Sequence, residues 1–307
     1  MKKIIAVLIL ALVLTGCSSS EKPATSNNTV TEAVNTDTNN TGTTDPVITD
    51  TPVETTPEIT ATPIPTATPI PEIHLNGKPG ETVTFGTYEF KDSHGETSSI
   101  GPKPIEWIVL SNDGEKMLLW SKYIIDDRSY DYSSGNHMYQ DYPEDVDVMW
   151  EDCALRKWLN DDFYNTAFDD EEKTHIIKTH LENKDVVIES IMTSNGPYVM
   201  ECGNPTDDNV FVMSYDELFG DIFKEDFNFK CAPAYYYYME VIDNNPDWLK
   251  DWRTPEGYLC GAYWLRNHGF YKCYAAHVDP DGIPNSFGMN YGDKRGVRPA
   301  IYVKVKK

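Results

Sequence analysis

Pro104-Ile105-Glu106-Trp107-Ile108-Val109-Leu110-Ser111-Asn112-Asp113-Gly114-Glu115-Lys116-Met117-Leu118-Leu119-Trp120-Ser121 reads as two strands and the turn that joins them. Ile105–Leu110 is rich in β-branched and aromatic residues, which fit a pleated, half-buried surface. Asn112-Asp113-Gly114 supplies the turn, because these residue types tolerate the backbone angles that a tight reversal needs. The chain then returns as Lys116–Ser121. This is the strongest hairpin signal in the sequence. Upstream, Thr82-Val83-Thr84-Phe85-Gly86-Thr87-Tyr88 alternates well enough for a further strand.

Working forward, the periodicity changes. Leu155, Trp158, Leu159 and Phe163 fall on one face of a helix starting near Glu151. Asp169 followed by Glu172 has the spacing of a capping box, so a second helix is expected from 169. Val210–Met213 reads as a short strand, and Ser214-Tyr215-Asp216-Glu217 as another box that opens a brief helix. The last third shows short strands at 262–266, 275–278 and 297–303, joined by long irregular segments. Such a mixture indicates an α+β domain rather than a repeating strand–helix fold.

Working back, the composition changes twice. Residues 18–72 are dominated by Thr, Pro, Asn, Ser and Glu, as in Thr51-Pro52-Val53-Glu54-Thr55-Thr56-Pro57. A segment with so few large apolar side chains cannot offset its ordering entropy, and its prolines favour extended conformations. It is expected to be a disordered stalk that reaches roughly 100 Å or more when drawn out. Before it, Lys2 and Lys3 precede an apolar run from Ile4 to Leu14, then Leu14-Thr15-Gly16-Cys17. The run has the length of a signal-peptide core. The expected organisation is therefore a signal peptide at 1–17, a stalk at 18–72 and one domain at 73–307.

Leu14-Thr15-Gly16-Cys17 resembles a bacterial lipobox. That resemblance implies diacylglycerol on Cys17, cleavage before it, and a protein tied to the outer face of the bacterial cell membrane. The chain carries a net charge of −23. Acidity of that size repels nucleic acid and anionic lipid surfaces, so no nucleic-acid partner is expected.

The domain's motifs also carry a family resemblance. Thr84–Tyr88, Pro104–Leu110, Leu118-Leu119-Trp120-Ser121, Leu155-Arg156-Lys157-Trp158-Leu159-Asn160, Val210–Ser214, Tyr263-Trp264-Leu265-Arg266-Asn267 and Gly296-Val297-Arg298-Pro299-Ala300 resemble in order the DUF6273 domain. That family of unassigned activity is common in secreted and lipid-anchored proteins of Firmicutes. The closing section also resembles C-type-lectin-like domains of the sulfatase-modifying type. The second resemblance implies one domain with paired N- and C-terminal strands, or at least strands in one sheet, with two helices and long ligand-bearing loops.

Candidate site residues come from several segments. Tyr235-Tyr236-Tyr237-Tyr238 cannot all point inward in either periodicity. With Trp248, Trp252 and Tyr258 it makes 235–258 the most aromatic loop region, either an interaction platform or an internal cluster. Tyr236, Tyr238, Trp248 and Trp252 are its candidate ligand-binding residues. Trp264 and Arg266 join them, since an arginine beside a tryptophan can stack on a sugar or pair with a carboxylate. The alternative is a core role, which is also the reading for Arg298, Trp107 and Trp158. Asp279-Pro280-Asp281-Gly282 has closely spaced oxygens, so Asp279 and Asp281 are weak metal candidates; a β-turn explains them equally.

Five cysteines follow Cys17, so complete intrachain pairing is impossible; buried thiols or one bridge, such as Cys260 to Cys273, are the alternatives. No catalytic motif is evident and no cofactor is implied. The sequence thus points to a surface module that binds glycan or another surface protein. An extracellular hydrolase or a cysteine-dependent oxidase is the alternative, the latter because its relatives use a cysteine pair in the part that holds Cys260 and Cys273.

Overall fold

The computed structural model describes residues 75–90, 101–131, 147–219, 227–238, 247–271 and 273–305, without the side chains of 219, 238 and 247–249. All of them belong to the compact unit Thr68–Lys307. The lipobox and the whole stalk segment 18–72 lie outside the described residues.

The hairpin forms where the residues place it. Lys103–Asn112 and Lys116–Ser121 pair antiparallel, with Ile108 opposite Trp120 and Val109 opposite Leu119. At the turn, Gly114 takes a φ of +90°, and the Asp113 carboxylate accepts the backbone N–H groups of Glu115 and Lys116 at 2.9 Å each. Those hydrogen bonds hold the Asp113 carboxyl below its ordinary range. The indoles of Trp107 and Trp120 are fully buried. Burying a large apolar side chain is worth about 1.5–3 kcal/mol, so these two rings fix the register strongly.

Around this hairpin a six-stranded sheet assembles. Thr82–Tyr88 pairs with Lys103–Asn112 on one side. On the other side, Lys116–Ser121 pairs antiparallel with the closing strand Pro299–Lys304, which Phe211–Val212 and Ile176–Ile177 flank. A five-stranded sheet stands beside it, in the order Pro284–Asn290, Tyr274–Val278, Tyr263–His268, Lys294–Val297, Asp126–Ser129. Two further hairpin-like pairs, Thr179–Leu181 with Thr206–Asp208 and Val186–Thr193 with Gly196–Met200, complete the strands.

Two features of the expected C-type-lectin-like arrangement are corrected. The first and last strands share a sheet but do not pair; Lys103–Asn112 and Lys116–Ser121 stand between them. The cause lies at the closing strand, which has Lys116–Ser121 along one edge and Phe211–Val212 and Ile176–Ile177 along the other. The helices also exceed two. A helical run passes from Ala154–Trp158 through a π-turn at Leu159–Phe163 into Tyr164–Ala167. Asp170–His175, Tyr215–Phe219 and Ala234–Tyr238 follow, with a 3₁₀ turn at Asp247–Trp252. The last α-helix and the 3₁₀ turn lie in the aromatic stretch. They carry no helical apolar periodicity, so sequence pattern does not reveal them; the α+β composition itself stands.

One more difference positions the site. The expected strand 297–303 is broken at Arg298. Lys294–Val297 belongs to the five-stranded sheet and Pro299–Lys304 to the six-stranded one. The same passage is made by Lys116–Ser121 and Asp126–Ser129, so residues 122–125 and Arg298 are both joints between the sheets.

Candidate functional site

At these two joints the chain crosses itself. Ile125 N–H donates to Val297 O at 2.9 Å, and Arg298 Nε donates to Ser121 O at 2.9 Å. The third element is the segment 231–234. Ile124 N–H donates to Ala232 O at 3.0 Å, and Ala234 N–H donates back to Ile124 O at 2.8 Å. Gly296 permits this approach: a Cβ there would lie 2.7 Å from Ile124 Cγ2 and 2.8 Å from Ala262 O. The start of Ala234–Tyr238 is thereby fixed against the joint, which turns the tyrosine run toward Lys122 and Tyr123.

The result is a cleft of about 320 Å³, lined among others by Lys122, Tyr123, Lys230, Tyr237, Tyr258 and Arg298. Tyr123 and Tyr237 stack with centroids 4.5 Å apart and planes 25° from parallel. Tyr258 meets Tyr237 edge-on at 5.7 Å. The Lys122 ammonium sits 5.2 Å and 5.7 Å from the first two ring centroids, and pairs with the Glu106 carboxylate at 2.6 Å. All three tyrosines are half-buried. Opposite, a turn at Thr254–Gly257 holds Glu256 at the edge, with Gly257 N–H on Thr254 O and Thr254 N–H on Tyr258 O, both 2.9 Å.

Arg298 lines this cleft while only 2% exposed. Its guanidinium lies on the Trp120 ring at 3.4 Å, and Nη1 donates to Tyr263 Oη at 3.2 Å and toward Phe229 O at 3.5 Å. Tyr263 in turn donates its hydroxyl proton to Phe229 O at 2.8 Å. Burial pushes that phenol well above its ordinary value, with Arg298 opposing. The Cys231 thiol lines the cleft too. Burial raises its pKa, and Arg298 opposes the rise.

The residues singled out from sequence scatter around this place. Tyr236, on the same helix as Tyr237, lines a neighbouring cleft of about 220 Å³ with Ile124, Pro233, Leu259 and Arg295. Tyr238 ends that helix and Trp248 lies in the 3₁₀ turn; their side chains are outside the described residues. Trp252 is exposed, and its carbonyl accepts Cys260 N–H at 2.8 Å. Trp264 is fully buried, with its indole donating to Arg128 O at 2.7 Å. Arg266 is buried against Glu217, and the pair lines a separate cleft of about 240 Å³. Trp107 donates to Phe85 O at 2.6 Å, and Trp158 lies under the Arg128 guanidinium at 3.9 Å.

Asp279 accepts from Asn285 Nδ2 at 3.0 Å and contacts His277 Nε2 at 2.9 Å, while Asp281 caps Ile283 N–H at 3.0 Å. These contacts make a turn, and among the described residues no cluster of three His, Cys, Asp or Glu side chains could hold a metal. Cys260 and Cys273 are both free thiols; burial pushes Cys260 up to about 12 and raises Cys273.

Lys122, Tyr123 and Lys230 were not legible as site residues. The only trace is that Lys122-Tyr123 directly follows the strand ending at Ser121, where a chain leaves its sheet.

Comparison with known proteins places the chain in a family. A model of the domain of unknown function DUF6273 matches residues 114–305, and one of the prokaryotic membrane lipoprotein lipid attachment site matches 1–18. No curated protein and no solved structure matches. The chain belongs to the DUF6273 family, and it is an extracytoplasmic lipoprotein of unassigned activity, anchored to the membrane through lipid at its N-terminus.

Proposed function

We propose, from that membership and anchoring, that the domain is a surface-displayed binding module whose ligand is a glycan held in the Tyr123–Tyr237–Tyr258 cleft. Cys17 bears the lipid, and residues 18–72 form the stalk that carries the domain away from the bilayer. The observation behind this reading is the cleft itself. It sets three half-buried rings and several polar side chains around a shallow concavity. Tyrosine supplies large contact area with few rotatable bonds, so little entropy is lost when a sugar docks on it. A concave site of this size suits a saccharide unit better than a protein partner, which needs about 800 Å² from each side.

The test is a glycan array probed with the full lipoprotein in detergent micelles. Binding to a subset of glycans is expected, with Tyr237→Ala and Tyr123→Ala reducing it by about tenfold or more, in line with an aromatic hot spot. Absence of glycan binding, or binding that survives both substitutions, defeats the reading.

A further inference from the structure

The charge lining the cleft runs against that of the whole molecule. The chain carries −23, yet among the described residues three cations, Lys122, Lys230 and Arg298, line this concavity against one carboxylate, that of Glu256. Lys122 is already engaged by Glu106. The Lys230 ammonium has no acceptor among the described residues.

Arg298 is the decisive group. A buried cation is costly unless an anion or a full set of acceptors compensates it. Among the described residues its partners are all neutral: the Ser121 and Phe229 carbonyls, the Tyr263 hydroxyl and the Trp120 ring. Nη2 has no acceptor among the described residues. Guanidinium N–H groups that find no acceptor in the protein are matched by carboxylate and phosphate oxygens, which form the stronger, charge-assisted hydrogen bonds.

We infer that the cleft selects an anionic saccharide, one bearing a carboxylate or a phosphate, whose charged group sits against Arg298 with Lys230 beside it while the tyrosines hold the sugar. This rests on the glycan reading and narrows its ligand. Lys122 contributes less to the anion, because Glu106 neutralises it.

Three probes separate the possibilities: an oligogalacturonate, the same oligosaccharide fully methyl-esterified, and a neutral oligosaccharide carrying one phosphate monoester. Titration calorimetry on the full lipoprotein in detergent should give tighter binding for the carboxylate or the phosphate probe than for the ester. The expected margin is about tenfold or more, the cost of losing a charge-assisted hydrogen bond. Whichever anionic probe binds names the source of the charge. Added salt should weaken that binding and leave the ester unaffected. Lys230→Gln, which keeps the fold by its position at the surface of the cleft, should lose most of the margin. Arg298→Lys should lose part of it while retaining the positive charge.

Equal affinity for acid and ester overturns the inference and leaves the glycan reading standing. Unchanged acid binding in both variants overturns the placement at this cleft. Failure of every probe, with neutral glycans still bound on the array, rejects the anion alone; failure on the array as well rejects both.

Discussion

Arg266 and Arg298 are equally buried, each 2% exposed, and the protein treats them in opposite ways. Arg266 stands in the strand Tyr263–His268 and is neutralised from within. Its Nη2 and Nη1 reach the two Glu217 oxygens at 2.7 Å and 3.0 Å, Nη1 also donates to Val212 O at 2.6 Å, and Nε to Asn183 Oδ1 at 3.2 Å. Glu217 is itself fixed by the capping box, accepting Ser214 N–H at 2.8 Å. This pair ties the helix Tyr215–Phe219 to the five-stranded sheet. Among the described residues, Arg298, at the joint between sheets, has carbonyls, a hydroxyl and an indole as partners instead of a carboxylate. A buried arginine thus marks a lock in one place and a receptive floor in the other. What distinguishes them is whether a described residue supplies the anion.

Removing one side of the lock should produce the largest effect. Glu217→Ala strands a buried guanidinium, and breaking such a pair costs about 3–5 kcal/mol. Arg298→Met leaves no orphaned charge. It forfeits the hydrogen bonds to Ser121 O and Phe229 O, of which Phe229 O keeps the Tyr263 hydroxyl, and the methionine is expected still to pack on Trp120, so the loss should be about 1–2 kcal/mol. Urea unfolding of the two variants checks the order. Equal losses would break the comparison, since they would mean that Arg298 is an internal lock too.

Acid sharpens it. Burial alone would raise the Glu217 carboxyl, but the Arg266 charge, its hydrogen bonds and those from Ser214 outweigh burial, so the folded pKa lies below the ordinary 4.5. A carboxyl depressed on folding stabilises fully above its unfolded pKa, and that contribution is lost as pH falls through the folded value. Stability of the wild type should therefore drop below about pH 4.5 as this group takes up its proton. In Glu217→Gln that part of the acid limb should flatten, whereas Arg298→Met should keep it. Unfolding midpoints collected from pH 6 down to about pH 3 distinguish the two.

Much of the lock was legible in the sequence and little of the floor. The Ser214–Glu217 box is a local signal, because both partners lie within one helical turn. The hairpin at 104–121 was equally local, and so was the Asp169–Glu172 box, where Asp169 accepts Glu172 N–H at 2.8 Å and Glu172 answers at 2.9 Å. The cleft is assembled instead from segments around 122, 230, 237, 258 and 298. No periodicity links them. The apolar run 297–303 reads as one strand because both halves are strands; that the chain changes sheets at Arg298 depends on pairing with distant residues. The aromatic richness of 235–258 did point to the region, yet which ring faces the cleft was set by Ile124 pinning 232–234. In the same way Trp264-Leu265-Arg266 gave residue types without surroundings, and the strand is covered on both faces, so all three are buried.

The smallest expected effect lies beside the lock. Asn183, which holds Arg266 Nε, is itself held by Thr206 Oγ1 at 3.2 Å and Asn204 O at 2.7 Å, so it depends on the short strand pair Thr179–Leu181 with Thr206–Asp208. On the exposed side of that pair His180 Nδ1 meets Asp207 Oδ1 at 2.8 Å. The hydrogen bond to Asp207 raises the imidazole above its ordinary 6.5; slight burial opposes this, and the charges of Asp207 and Glu182 add to the rise. For a base whose pKa is raised on folding, the stabilisation is fully present below the unfolded value and disappears as pH climbs through the folded one. An NMR titration should place the His180 midpoint above 6.5, and Asp207→Asn should bring it back down. Both side chains are more than half exposed, so solvent screens the pair and the accompanying change in unfolding midpoint should be slight. Among the described residues no histidine lines the cleft. Affinity for the galacturonate probe, whose carboxylates stay ionised throughout, should then remain flat between about pH 6 and 8 while His180 titrates. An affinity that followed the His180 curve would show that the two regions are coupled, and the division between lock and floor would have to be abandoned.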